Sequence, residues 1–362
     1  MGTNPMRPTM NLEIKSRNMN KKTIHYFIAC VVLLGVASVA CAQNMIDKQG
    51  RKQGHWIRTD QNGAKVYEGD FKDGLEVGTF QYFYPNGTVR IRNTYTTPGR
   101  VCSHEAYDEQ GHMLAKGMYN QKNRDGEWHL FNEEGKLVKV ANYRMGIKEG
   151  LQIIFNSNGD TAEVSNWRDN HRHGRWWKRI GQKGSISGTF VKGCLEGRLL
   201  EYGEDGKMVR KGHYRNGEKD GGYQYFEDGV LTVDENWTDG VLSDRKVLLT
   251  TTKKEYVSTF AIAYFYPKAS TKSIVVLMDG KVLSCQESVE TIYSRVGDEQ
   301  FVTVDKKNRI AACKSCIQGL TKDEEGRIIL NLDPKPAFSV FPDEDCQKLI
   351  QSLQRKDELD EN

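Results

Sequence analysis

The sequence lacks nearly everything a catalytic reading would need. It has no Ser/His/Asp constellation, no phosphate-binding loop and no dinucleotide glycine fingerprint, so hydrolytic and nucleotide-dependent chemistry have no residues to rest on. Long helices are missing as well. Through the repeated region described below, no amphipathic window free of glycine runs beyond about a dozen residues. Net charge is also lacking. Five of the 52 Lys and Arg (Arg7, Lys15, Arg17, Lys21, Lys22) and one of the 48 Asp and Glu (Glu13) precede Gln43, leaving 47 of each sign after it. A neutral, mixed-sign surface gives no electrostatic footprint for nucleic acid, and none is expected as a partner. Basic spots such as Lys207, Arg210 and Lys211 are flanked by Glu204, Asp205 and Glu218 and read as solvated strand faces. The run His171-Arg172-His173 has no cysteine near it at metal-ligand spacing and reads as exposed turn histidines. No metal and no cofactor is expected.

What the sequence does have is glycine, at a fixed step. From Gly54, steps of 24 reach Gly78, Cys102, Gly126, Gly150 and Gly174, then Gly197 after 23 and Gly221 after 24. A second phase carries Phe71, Tyr95, Tyr119, Tyr143, Trp167, Phe190, Tyr214 and Trp237. A third carries Gly63, Gly87, Gly111, Gly135, Gly159, a slipped Gly184, Gly206 and Gly229. Three phases agreeing over eight units define a repeat array from about Asp47 to Gly240.

One unit shows what each must be. In Thr79-Phe80-Gln81-Tyr82-Phe83-Tyr84, Phe80, Tyr82 and Tyr84 share a face if the chain is extended. Pro85-Asn86-Gly87 supplies a turn, since Asn and Gly accept positive φ. Val89-Arg90-Ile91-Arg92 alternates apolar and charged residues, the period of a strand with one wet face. Each unit is therefore a β-hairpin, and a further Gly turn, as at Asp73-Gly74, Asn216-Gly217 and Asp239-Gly240, leads to the next. The expected class is mainly β: an elongated antiparallel meander of about eight 24-residue hairpins, followed by a small α+β domain. About sixteen strands at ~4.8 Å spacing would extend on the order of 75 Å. One hairpin cannot bury its own aromatic face, so Trp56, Phe80, Trp128, Trp176 and Tyr223 are expected to pack in a column along the array. The functional alternative for these five is an aromatic ligand platform. Glycine at the first phase implies close strand approach or an unusual φ. Cys102 departs from it, so the third unit should be the irregular one.

The pattern Gly-x-Trp-x-x-Tyr/Phe…Asn/Asp-Gly…Gly-x-Tyr-x-Asn/Asp-Gly, as in Gly126-Glu127-Trp128…Phe131-Asn132-Glu133-Glu134-Gly135 and Gly212-His213-Tyr214-Arg215-Asn216-Gly217, resembles the MORN-repeat variant of bacterial proteins grouped as YwqK-family antitoxin-like. The resemblance covers a little over half of the chain. It implies elongated antiparallel sheet and a binding or scaffolding role, and it carries over no catalytic residue.

Residues 1–18 are polar and patternless and read as an extension upstream of a true start at Met19. Residues 19–42 read as a signal peptide: Lys21-Lys22, the apolar run Ile24–Ala40, and Ala40-Cys41-Ala42 before Gln43. Two alternatives stand beside cleavage. Val39-Ala40-Cys41 resembles a lipobox, which would lipidate Cys41 and anchor the protein to a membrane. Or the run remains as an anchor, though it is short for a span of about 20 residues. All three place the bulk outside the cytoplasm, in the periplasm or at the outer-membrane surface.

After residues 43–240, the 24-residue grammar stops, and 241–362 is expected to fold as a small α+β domain. Val241–Lys254 reads as a bridge with a terminal strand. Tyr256–Tyr266 reads as one buried strand, Ser273–Leu283 as a hairpin around Asp279-Gly280, and Gln286–Arg295 as a short helix. Phe301–Val304 and Arg327–Leu330 read as strands and Asp343–Leu359 as a helix. Four cysteines lie here: Cys285, Cys313, Cys316 and Cys346. In an oxidising compartment, structural disulfides are expected. A thiol redox site at Cys313-Lys314-Ser315-Cys316 and a four-Cys zinc site are the alternatives. Covalent haem is excluded, because Ile317 stands where His is required. The expected function is non-enzymatic: a scaffold binding a protein or envelope component, or a glycan. A thiol-disulfide redox protein and a lipid-anchored envelope lipoprotein are the alternatives.

Overall fold

A computed structural model of the chain describes residues 43–333, 338–342, 344–345, 347–348 and 350–352. Residues 1–42, which include the segment read as a signal peptide and Cys41, and Cys346 lie outside the described residues. The chain divides into two compact units, residues 1–99 and 100–362.

The first unit is a meander of β1 (Met45–Ile46), β2 (Lys52–Thr59), β3 (Lys65–Lys72), β4 (Leu75–Phe83) and β5 (Val89–Thr97). Each strand pairs antiparallel with the next. The second unit continues the pattern through β6 (Val101–Tyr107), β7 (Met113–Asn120), β8 (Asn123–Phe131), β9 (Leu137–Arg144), β10 (Ile147–Phe155), β11 (Thr161–Arg168) and β12 (His171–Ile180). It goes on through β13 (Gly184–Val191), the short β14 (Cys194–Leu195), β15 (Gly197–Tyr202), β16 (Met208–Arg215), β17 (Glu218–Glu227) and β18 (Val230–Thr238). β19 (Val241–Thr250) and β20 (Lys254–Ser258) add two more strands, paired antiparallel. The eight expected hairpins are present, from β2–β3 to β17–β18.

Two kinds of turn alternate. Between hairpins the chain reverses on two residues that both have positive φ, as at Asp73 and Gly74 (54° and 80°), Met145 and Gly146 (49° and 86°) and Asn216 and Gly217 (51° and 89°). This is the backbone of a type I′ turn, whose twist matches that of the strands it joins. Within a hairpin the reversal is usually wider; β17–β18 is an exception and turns on Asp228 and Gly229 (50° and 78°). At Pro85-Asn86-Gly87 only the glycine has positive φ. The Asn86 side chain instead accepts the amide of Thr88 at 2.9 Å. Asp60, Asp108, Asn132 and Asn156 hold the corresponding amides at the same 24-residue step. Apart from the β17–β18 turn, the tightest turns therefore lie between the sequence repeats.

The first-phase glycines sit at breaks in register. Gly126 has φ 76°, and a Cβ added there would meet nothing within 4 Å. Backbone conformation, not space, requires glycine at this point. Cys102 stands in this phase without a positive φ, yet β6 pairs with β7 as the other hairpins do, with one shift between Ala106 and Tyr107, so the third hairpin is regular where an irregular unit was expected.

After β20 the chain leaves the meander. The expected single strand Tyr256–Tyr266 is broken by a 3₁₀ turn at Thr259–Ala261. There, buried Thr259 donates its hydroxyl to Gln300 Oε1 at 2.7 Å. β21 (Ile262–Ala269) then enters a second sheet with β22 (Lys272–Leu277), β23 (Val282–Cys285), β24 (Phe301–Asp305) and β25 (Ile310–Cys313), in the order β23-β22-β21-β25-β24. The chain breaks because it serves two sheets with different neighbours. Helix α1 (Val289–Val296), capped by Ser288, buries Val289, Ile292 and Val296. A third sheet holds β26 (Ile317–Lys322), β27 (Ile328–Leu332) and β28 (Phe338–Ser339). The chain is also helical at 344–345, 347–348 and 350–352, within the expected C-terminal helix. The main hydrophobic core joins Val247 and Leu249 of β19 to Ile262, Phe265, Val275, Ile292 and Phe301.

Candidate functional site

The first candidate site is the repeat strands, whose two faces differ in character within each unit. On one face, a large residue two positions after each first-phase glycine opposes a small residue on the neighbouring strand. Registered pairs are Trp56 with Gly69, His104 with Gly117, Trp128 with Ala141, Ser165 with Trp176, Leu199 with Gly212 and Gly212 with Tyr223. A Cβ on Gly117 would lie 2.4 Å from the Trp128 ring, and one on Gly69 or Gly212 would lie 2.1 Å from Phe80 or Tyr223. The aromatics therefore do not stack continuously; each ring is laid over a glycine or another small residue. Phe80, Trp128 and Tyr223 are 2%, 1% and 1% exposed, whereas Trp56 and Trp176 are half-buried. Three of the five aromatics thus have no surface to offer a ligand.

Cations complete this column. Lys52, Arg124, Lys148, Arg172 and Lys219 each precede a first-phase glycine by two residues and lie over neighbouring rings: Lys148 Nζ is 4.1 Å from the Trp167 ring and Lys219 Nζ 4.1 Å from that of Tyr223. Towards the C-terminal end they are also neutralised. Arg172 pairs with Glu163 at 2.6 Å, Arg210 with Glu201, and Lys219 and Arg245 with Glu235 at 3.3 and 2.6 Å. Glu235 is 2% exposed, so these pairs act as internal structure.

The reverse face is different. The registers of β11, β12, β13, β15 and β16 place Val164, Asn166, Arg175, Trp177, Ser187, Thr189, Arg198, Leu200, Lys211 and His213 together on it. No Asp or Glu occupies this face of those strands. Exposed Arg175, Arg198 and Lys211 have no carboxylate partner among the described residues. Arg179 lies 5.6 Å from the centre of the Trp177 ring. An open groove of about 470 Å³ runs over Arg175, Trp177, Ser187 and Arg198. A second, of about 340 Å³, continues from Arg198 and Leu200 to Lys211, His213 and Gln224. Summed charge hid this surface, because the balancing carboxylates Glu163 and Glu201 point to the other side. The signal was present in the parity of Arg175, Trp177 and Arg179, and of Lys211 and His213.

His171, Arg172 and His173 diverge. His171 bonds to the Asp169 carbonyl at 2.7 Å, Arg172 lies on the aromatic face, and His173 accepts the Lys192 amide at 3.4 Å.

The second candidate site is the cysteine cluster, where the expected disulfides are not found among the described residues. Cys102, Cys194, Cys285, Cys313 and Cys316 are all free thiols. Cys285, on β23, faces the core and is apart from the CxxC pair; burial pushes its thiol up to about 12. Cys313 and Cys316 do meet, across one 3₁₀ turn. A hydrogen bond from the Cys316 thiol, offset in part by burial, brings Cys313 down to about 6, with help from the Ser315 hydroxyl and the Ser315 and Cys316 amides.

No curated protein matches the chain. The family model described as the MORN repeat variant matches residues 76–96 and 195–216, the β4–β5 and β15–β16 hairpins. This is a β-hairpin repeat protein with segments of MORN-variant type at two places, and the same strand–turn–strand geometry recurs in its other hairpins.

Proposed function

We propose that the protein is a non-enzymatic binding scaffold whose partner docks on the reverse face of β11–β16 and presents carboxylates or phosphates to it. The partner class is a protein or an envelope component. The observation that carries this reading is the groove lined by Arg175, Arg198 and Lys211 with no carboxylate on its face. Elsewhere on these strands, arginines facing the other way are paired. Unpaired cations on a rigid sheet raise the local concentration of anions and fix the register of docking. Trp177 adds a flat apolar surface with little conformational entropy to lose. The repeat type supports a binding role, and no catalytic constellation competes with it.

The protein acts after export, on this reading, with Gln43 as the mature N-terminus and a lipidated Cys41 as the rival end. Mass spectrometry of the mature N-terminus distinguishes the two. Neutralising a cytoplasmic toxin does not suit an exported chain. The test of the binding reading is crosslinking in native envelopes with the full-length protein and the R175E/R198E/K211E variant. Loss of a specific crosslinked partner in the variant supports it. Equal recovery by both proteins sinks it.

A further inference from the structure

The binding reading leaves the CxxC segment unused, and its geometry is that of a reactive thiol beside a protected one. Cys313 closes β25, opposite Phe301 in the ladder. The chain then makes one 3₁₀ turn, Lys314–Cys316, and enters β26 at Ile317. That single turn brings the two sulfurs together and aims donors at Cys313. Its sulfur lies 3.1 Å from Ser315 Oγ and also receives the Ser315 and Cys316 amides. Cys313 is 6% exposed and adjoins exposed Ser315.

Cys316 is 1% exposed, with its sulfur 3.3 Å from Met278 Sδ. Its thiol is held protonated by the hydrogen bond to Cys313, and further by burial and by the negative charges of Cys313 and Asp333. Lys314 is turned away: its ammonium is held by the Asp298 and Glu299 carbonyls at 2.8 and 3.0 Å. The thiolate is thus stabilised by hydrogen bonds and not by a cation. Cys285 serves as the internal comparison. It too is buried, at 0% exposed, but among the described residues no donor is aimed at its sulfur, and its thiol is pushed up to about 12. Burial is common to both sites; the difference is the turn.

We propose that Cys313 and Cys316 form a dithiol–disulfide couple that exchanges electrons with low-molecular-weight disulfides, with Cys313 as the attacking thiol and Cys316 as the resolving one. The Cys313 thiolate attacks one sulfur of the disulfide, forms a mixed disulfide and releases one thiolate. Cys316 then gives its proton to that thiolate through solvent and attacks the Cys313 sulfur. The Cys313–Cys316 bond forms, and the second small thiolate leaves and takes a proton from water. Two electrons pass from the pair to the small disulfide, which becomes two thiols.

The test uses the reduced full-length protein and site-resolved mass spectrometry. Alkylation of Cys313 by iodoacetamide should follow a titration centred near pH 6. At pH 7 it should exceed that of Cys285 by on the order of 100-fold, since the gain in thiolate outweighs the lower intrinsic nucleophilicity. With oxidised glutathione, wild type should close the Cys313–Cys316 bond. C316S should accumulate a glutathione adduct on Cys313, and C313S should form neither product. A Cys313 that alkylates as slowly as Cys285 overturns the proposal. So does a wild-type protein that keeps its glutathione adduct without closing the bond. The wild-type titration and adduct assays stand even if a serine variant fails to fold.

Discussion

Two glycines one strand apart show how differently the same residue can be required. Gly117 is needed because the Trp128 ring fills the space above it, at 2.4 Å from any added Cβ. Gly126 has open space around it and is needed for its φ of 76°. Gly117→Ala should cost about 1–3 kcal/mol through overpacking, and Trp128→Ala about 3–5 kcal/mol through the cavity it leaves. In the Trp128→Ala background, Gly117→Ala should cost almost nothing, because the clashing ring is gone. Urea unfolding of the four proteins measures this coupling. Additive costs would mean that Gly117 is required for backbone reasons. Gly126→Ala should cost about 1–2 kcal/mol. Gly126→Asn should cost less, since Asn tolerates the left-handed region, and neither should couple to Trp128→Ala.

Turns are the level at which pH enters. Asp47 is held at about 2, chiefly because its carboxylate accepts the Arg51 amide, with further bonds from Gln53, the Arg51 side chain and Gln49. Asp205 is likewise lowered, first by the Lys207 amide. A carboxylate with a depressed folded-state pKa stabilises the fold above its unfolded value and loses that contribution as pH falls through the folded one. The thermal midpoints of wild type and Asp47→Asn should therefore differ by a constant amount above about pH 5. The gap should narrow between pH 4 and 2. A gap that is unchanged at pH 2 would show that the turn is held by shape alone. The break at Thr259 belongs to this scale too. Tyr256–Tyr266 reads as one apolar strand, but two sheets claim its halves, and only the neighbours of each half reveal the break.

For the whole molecule, zero net charge after Gln43 conceals sorting by face. Alternation places Glu163 and Glu201 on one side of the sheet and Arg175, Arg198 and Lys211 on the other. Partner binding should weaken steeply between about 0.05 and 0.5 M NaCl, as the screening length falls well below 10 Å. The R175E/R198E/K211E variant should bind weakly with little salt dependence. Affinity that does not change with salt would point to an apolar contact elsewhere.

The 24-residue period, the strand alternation and the turn residues sufficed to derive the hairpin meander, because each is a local property that survives without knowledge of neighbours. Turn φ and strand parity are set within a few residues, and the period repeats them. Which glycine supports a ring, which cation is paired and which thiol has its pKa lowered were decided by tertiary structure alone. Each depends on what the register and its bulges bring alongside from another strand. Cys313 and Cys285 carry the same side chain at similar burial, and only the donors folded around one of them lower its pKa.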